Sequence, residues 1–141
     1  MNNYKGDHMR TTIAVLLASG LAFSFNACAA DNTSEWVQLT GTKNNSSTNL
    51  FLGKKGSFRH MKGQSSFLLQ QIRTTIADDR KEVRYYQVAI SDKACDNGYG
   101  KLYFNDVEGK PDFDADYIAK GESAGSAIGD ALCAIKAMPD N

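Results

Sequence analysis

Three groups of residues in this chain of 141 amino acids have the types and spacing to do chemistry. The first is the set of cysteines, Cys28, Cys95 and Cys133. The second is an alternating acidic run, Asp112, Asp114 and Asp116, with Asp106 and Glu108 ahead of it. The third is a basic cluster around a glycine turn: Lys54, Lys55, Arg59, His60 and Lys62.

The acidic run begins like a calcium loop, in which oxygen ligands at alternate positions converge on a hard cation. The pattern then breaks. Its sixth position is Tyr117, where a sharp turn needs glycine, and its twelfth is Ser123, where a bidentate glutamate belongs. A solvated acidic loop from 105 to 117, carrying Pro111, is the expectation. Zinc has no better claim, because a single histidine, His60, follows residue 30 and no C-x-x-C spacing occurs. No metal and no other cofactor is expected. His60, set among Arg59 and Lys62, reads as a surface histidine rather than a general base. The serines lack a G-x-S-x-G elbow and a partner pattern. No catalytic residue is therefore assigned, and the chain is expected not to be an enzyme.

The basic cluster is the expected binding surface. Lys54, Lys55, Arg59 and Lys62 can attract an acidic partner by long-range steering. Sulfated glycans, lipopolysaccharide and acidic host proteins all fit, and a plain solvated turn is the alternative. Tyr85, Tyr86, Tyr99 and Tyr103 are candidate aromatic contacts, since tyrosine is enriched at interfaces. Core packing explains them equally well.

The compartment follows from the N-terminus. Lys5 and Arg10 precede an uncharged apolar stretch from Ile13 to Phe25, and small residues follow at Ala27, Cys28, Ala29 and Ala30. This three-part pattern is that of a cleavable signal peptide over 1–30. Its apolar core is too short to span ~30 Å of hydrocarbon, which takes about 20 helical residues. Met9 opens a better-formed signal than Met1. Cleavage before Ala30 or before Asp31 suits the small residues. Lipidation of Cys28 is the other reading, although Phe25 and Asn26 fit a lipobox poorly, and it would anchor the domain to an outer membrane surface. The mature chain is then periplasmic or secreted, with no transmembrane segment.

Loss of the leader leaves 31–141 as a single domain of 111 residues with two cysteines, Cys95 and Cys133. In an oxidising compartment two such cysteines most often pair. The bridge would close a loop of 38 residues, for which the chain-entropy model gives roughly 4 kcal/mol. Charge divides the same chain. Residues 31–84 carry nine basic and five acidic side chains, and 85–141 carry five basic and ten acidic. The uniform basicity of a nucleic-acid binder is absent, and export also argues against that partner.

The elements that must position these residues can be read from periodicity. EWVQLT and NLFL suggest short strands, with the loop GTKNNSS between them. GKKG at 53–56 reads as a hairpin turn leading into SFRH. SFLLQQIRTTI, 66–76, and VRYYQVAI, 83–90, are the long strands, the second with Tyr86, Val88 and Ile90 on one face and Tyr85, Gln87 and Ala89 on the other. DKACDNGYG is a turn and KLYF a short strand. Ala124, Ala127, Ile128, Ala131, Leu132 and Ile135 then follow helical spacing, with Ser123 as N-cap and Pro139 beyond the end. Gly125 and Gly129 weaken that helix by up to about 1 kcal/mol each. The predicted fold is α+β: an antiparallel sheet of about five or six strands with one C-terminal helix packed on it. No internal repeat is visible.

The order of Trp36-Val37, LFLGKKGSFR at 50–59, Cys95 and SAIGDALC at 126–133 resembles the bacterial surface-adhesin protein E-like family. Gly53 stands where that family has an aspartate in the hairpin turn. The resemblance spans about 36–133. It implies a sheet-plus-helix fold and, for some members, binding of host matrix proteins; it transfers no binding residue. Two functions are thus expected: a non-enzymatic exported binding protein of adhesin-like type, or a periplasmic immunity or inhibitor protein that neutralises a toxin or hydrolase. The oligomeric state has no sequence signal.

Overall fold

A computed structural model describes residues 34–138; the expected leader over 1–30, with Cys28, and Pro139 lie outside them. Seven strands form one antiparallel sheet: β1 (Trp36–Lys43), β2 (Ser47–Lys54), β3 (Arg59–Met61), β4 (Gln64–Thr75), β5 (Lys81–Ser91), β6 (Tyr99–Asn105) and β7 (Pro111–Ile118). Helix α1 (Asp92–Asn97) follows β5, and α2 (Ala124–Lys136) closes the chain. The order across the sheet is β1-β2-β4-β5-β6-β7, with β3 paired to β4 beside the end of β2. The fold is α+β, as expected, with one strand more than the upper expectation.

The two long strands carry the core. Alternation buries Ser65, Phe67 and Leu69 of β4, and Tyr86, Val88 and Ile90 of β5, on the face toward α2. Tyr85 and Gln87 point the other way and are exposed, as period-two geometry requires. Ile128, Leu132 and Ile135 of α2 seal the core with Leu102, Phe104 and Tyr117. Ser123 caps α2, its hydroxyl accepting from the Ser126 amide at 3.0 Å. A disulfide joins Cys95 of α1 to Cys133 of α2, with Cα atoms 5.4 Å apart, and Lys136 pairs with Asp96 beside it.

Four local expectations are corrected. The acidic segment after Asn105 is a turn only to Lys110; from Pro111 it is β7, an edge strand paired along β6. Phe113, Ala115 and Tyr117 alternate with the aspartates, so the segment has a strand's apolar period, which the density of charge obscures. DKACDNGYG begins with a capped turn of helix: Ser91 accepts from the Ala94 amide at 3.2 Å, and Gly98 ends α1 at φ 73°. GKKG does not make a hairpin, because the flanking β2 and β3 both pair with β4. The hairpin joins β3 to β4 through Lys62 and Gly63, both at positive φ (53° and 74°), the geometry of a type I′ turn. GTKNNSS is mostly strand. Its turn contracts to Asn44–Ser46, where the Asn44 carboxamide oxygen accepts from the Ser46 and Ser47 amides, an Asx-type turn.

Candidate functional site

Both helices pack on one face of the sheet, so among the described residues no element covers the other. This outer face displays Tyr85, Val83 and Tyr103, which are 43%, 46% and 49% exposed. Trp36 joins them, its ring 5.8 Å from that of Tyr85. Gln70 donates to the Tyr85 hydroxyl at 3.0 Å and holds the phenol in place. Side chains that are half-buried yet aromatic, with a polar tip in water, are typical of contact surfaces.

The basic residues border this face but do not form one tight cluster. Lys54, register partner of Trp36, places its ammonium 6.0 Å from the indole centroid and 4.0 Å from Glu35. Lys55 is exposed at the tip of the following turn. Arg59 folds its guanidinium back, donating to the Gly56 and Phe58 carbonyls at 2.8 and 2.7 Å. Lys62 occupies the β3–β4 turn. Arg59 and Lys62 share a shallow groove of about 330 Å³ with Ser66 and Gln87, apart from the Lys54–Trp36 corner. Among the described residues Lys55, Arg59 and Lys62 have no carboxylate within ion-pair distance.

His60 is placed differently from its neighbours. Its Nε2 lies 3.0 and 3.1 Å from the two Asp92 carboxylate oxygens, in a half-buried setting. The pair links β3 to the start of α1 across 32 residues of sequence, a separation at which no local signal operates. Ser65 is the register partner of His60, but its fully buried hydroxyl makes no hydrogen bond. Aspartate, histidine and serine therefore do not form a relay here.

The alternating aspartates sit on β7, where Asp112, Asp114 and Asp116 share one face about 7 Å apart along the strand. That spacing spreads them in a row rather than converging them on one ion. Lys101 of β6 reaches two of them, Asp116 at 2.8 Å and Asp114 at 3.9 Å. Hydrogen bonding to Asp116 and the charge of both carboxylates push the Lys101 ammonium above its ordinary range. Among the described residues no group of three or more metal-ligating side chains comes together. Charge on an exposed edge strand also discourages pairing with other chains.

On the covered face, Tyr117 donates its hydroxyl to Asp130 at 2.9 Å, and the same carboxylate accepts from the Lys120 amide at 3.1 Å. Burial, with the Asp130 hydrogen bond and charge behind it, pushes the Tyr117 phenol up to about 12. This contact fixes the β7–α2 connection, where Lys120 has φ 57°.

No described helix is long and apolar enough to cross a membrane. Comparison of the chain with family models, curated proteins and solved structures finds no match.

Proposed function

We propose that this chain is an exported, non-enzymatic binding protein that meets an acidic protein or a polyanionic envelope or host component across its outer sheet face. The observation that carries the reading is the uncovered aromatic surface of Trp36, Tyr85 and Tyr103 beside Lys54, Lys55, Arg59 and Lys62. Aromatic groups supply contact area and the cations steer encounter. The Cys95–Cys133 bridge suits an oxidising compartment, and the leader pattern over 1–30 supplies the route. The surface-adhesin protein E-like resemblance points the same way, toward a host or matrix ligand.

The carboxylate row on β7 favours a second reading. Asp112, Asp114 and Asp116 would suit a basic partner, as in an immunity or inhibitor protein capping a toxin or hydrolase.

Pulldown from envelope and host extracts, with the parent and a variant carrying serine at Lys54, Lys55, Arg59 and Lys62, separates the two. Loss of the partner in the variant supports the first reading. Undiminished capture at low salt sinks it and moves attention to Asp112–Asp116. Intact mass of the exported protein tests the leader: a mass retaining 13–25 excludes processing, and an added diacylglycerol identifies a Cys28 lipoprotein.

A further inference from the structure

Helix α2 does not lie evenly on the sheet. Its first turn presents Ala124 and Gly125, and a β-carbon at Gly125 would stand 2.9 Å from the Asp116 carbonyl oxygen. The N-terminal end is thus pressed onto β7. Toward β2 and β4, the small side chain of Ala124 cannot reach the sheet's aromatic row. The result is a groove of about 240 Å³ between Ala124, Ile128 and the apolar side chains Phe51, Leu69, Tyr86 and Phe113. Phe113 stands at its mouth, 47% exposed and stacked on Phe104 with centroids 4.4 Å apart. The size exceeds the about 150 Å³ that holds benzene in an apolar cavity and falls below the ~300 Å³ of drug-sized sites. It suits one alkyl chain rather than two.

One end of this groove is not apolar. Gln71 belongs both to the groove and to a polar cavity of about 90 Å³ formed with Arg73, Glu82 and Arg84. These residues continue the inner-face rows of β4 and β5 beyond Leu69 and Tyr86. Arg84 is committed to Glu82, with nitrogen–oxygen distances of 2.6 and 2.7 Å. Hydrogen bonding to Glu82 is the first cause that pushes its guanidinium further above the usual range. The Arg84 and Glu82 charges offset one another in this ion pair. Arg73, register partner of Glu82, has no carboxylate in ion-pair range among the described residues. The cluster keeps one net positive charge, on a planar fork suited to an anionic head group.

We propose that this groove binds a single-chain amphiphile with an anionic head, the chain lying between α2 and the sheet and the head at Arg73. The site is on the opposite face from the partner surface proposed above and stands or falls independently of it. A free fatty acid and a monoacyl phospholipid share this chemistry.

The test is a calorimetric titration of the folded, disulfide-bonded protein with sodium decanoate, decanoyl lysophosphatidylglycerol and 1-decanol. It is read together with methyl NMR shifts of Leu69 and Ile128. Binding of either anionic probe is expected, at one per chain, with shifts at both methyl groups and decanol at least fivefold weaker. The stronger of the two anionic arms identifies the source of the head group. Arg73→Gln should weaken the anionic probe about fivefold at low salt and leave decanol unchanged, the range expected for a solvent-screened charge pair. Ala124→Leu, which fills the groove, should abolish binding. Decanol binding as tightly as decanoate, or anionic binding without shifts at Leu69 and Ile128, overturns the proposal. The titrations and the methyl shifts that decide between these outcomes are made on the parent protein, so they do not depend on either variant folding.

Discussion

Gly129 of α2 lies directly on the ring of Tyr117 in β7, with no room for even one carbon: a β-carbon there would fall inside the envelope of Cδ2 and Cε2. By intrinsic propensity a glycine in mid-helix costs about 1 kcal/mol relative to alanine. Gly129→Ala would therefore stabilise an isolated helix. In the folded domain overpacking against a ring that is itself hydrogen-bonded costs typically 1–3 kcal/mol, and the steric effect wins. Chemical denaturation of Gly129→Ala should show a net loss of up to about 2 kcal/mol. A gain would mean that α2 slides freely on β7.

The same tyrosine makes stability fall at high pH. Its phenol is pushed from 10.0 up to about 12 in the folded protein. The neutral form is favoured by folding, so the contribution is complete below pH 10 and is lost as pH rises through about 12. The span corresponds to at most about 3 kcal/mol. Tyr117→Phe should lose roughly 1 kcal/mol at neutral pH with its hydrogen bond and should flatten the alkaline decline. Urea midpoints at several pH values between 9 and 12 check this. An equally steep decline in the phenylalanine variant would assign it elsewhere.

The Cys95–Cys133 bridge connects α1 to α2 on one side of the core. Reduction, or Cys95→Ser with Cys133→Ser, should lower stability by about 2–4 kcal/mol, the usual range for a loop of this length. A thiol reagent should titrate no free cysteine among the described residues until reductant is added. Two thiols reacting in the untreated native protein would contradict the bridge.

The basic residues of the outer face should matter for binding and little for folding. Serine at Lys54, Lys55, Arg59 and Lys62 should weaken the partner complex at least tenfold at low salt. Parent binding should itself fall with ionic strength, since exposed charges are screened within about 8 Å at physiological salt. The melting temperature should hold nearly constant, because exposed pairs such as Lys54–Glu35 contribute at most about 1 kcal/mol. A large drop in melting temperature would show that the backbone bonds of Arg59 hold the β2–β3 corner together.

Much of the architecture was legible because its signals are local. Alternation in 66–76 and 83–90 and helical spacing in 124–135 are written in consecutive residues, and each became the expected element. β7 was hidden by its charge, although Phe113, Ala115 and Tyr117 carried the alternation. Helix α1 was hidden by its turn-forming residues, and the Ser91 cap that starts it emerges only in the structure. The cation positions were legible as a list, but their distribution was not. Lys54 turned to Trp36, and Arg59 and Lys62 turned to a separate groove.

The succession of long strands and the C-terminal helix follow from the sequence by itself, because periodicity acts over short range; the Cys95–Cys133 pairing, expected once Cys28 is set aside with the leader pattern, is closed by the packing of α1 beside α2. Which face of the sheet the helices cover, the His60–Asp92 contact, and the juxtaposition of Arg73 with an apolar groove were decided only by tertiary structure. They depend on strand register and on where α2 presses through Gly125 and Gly129. Those are long-range contacts, set by the packing of whole surfaces and not by any neighbour in the chain.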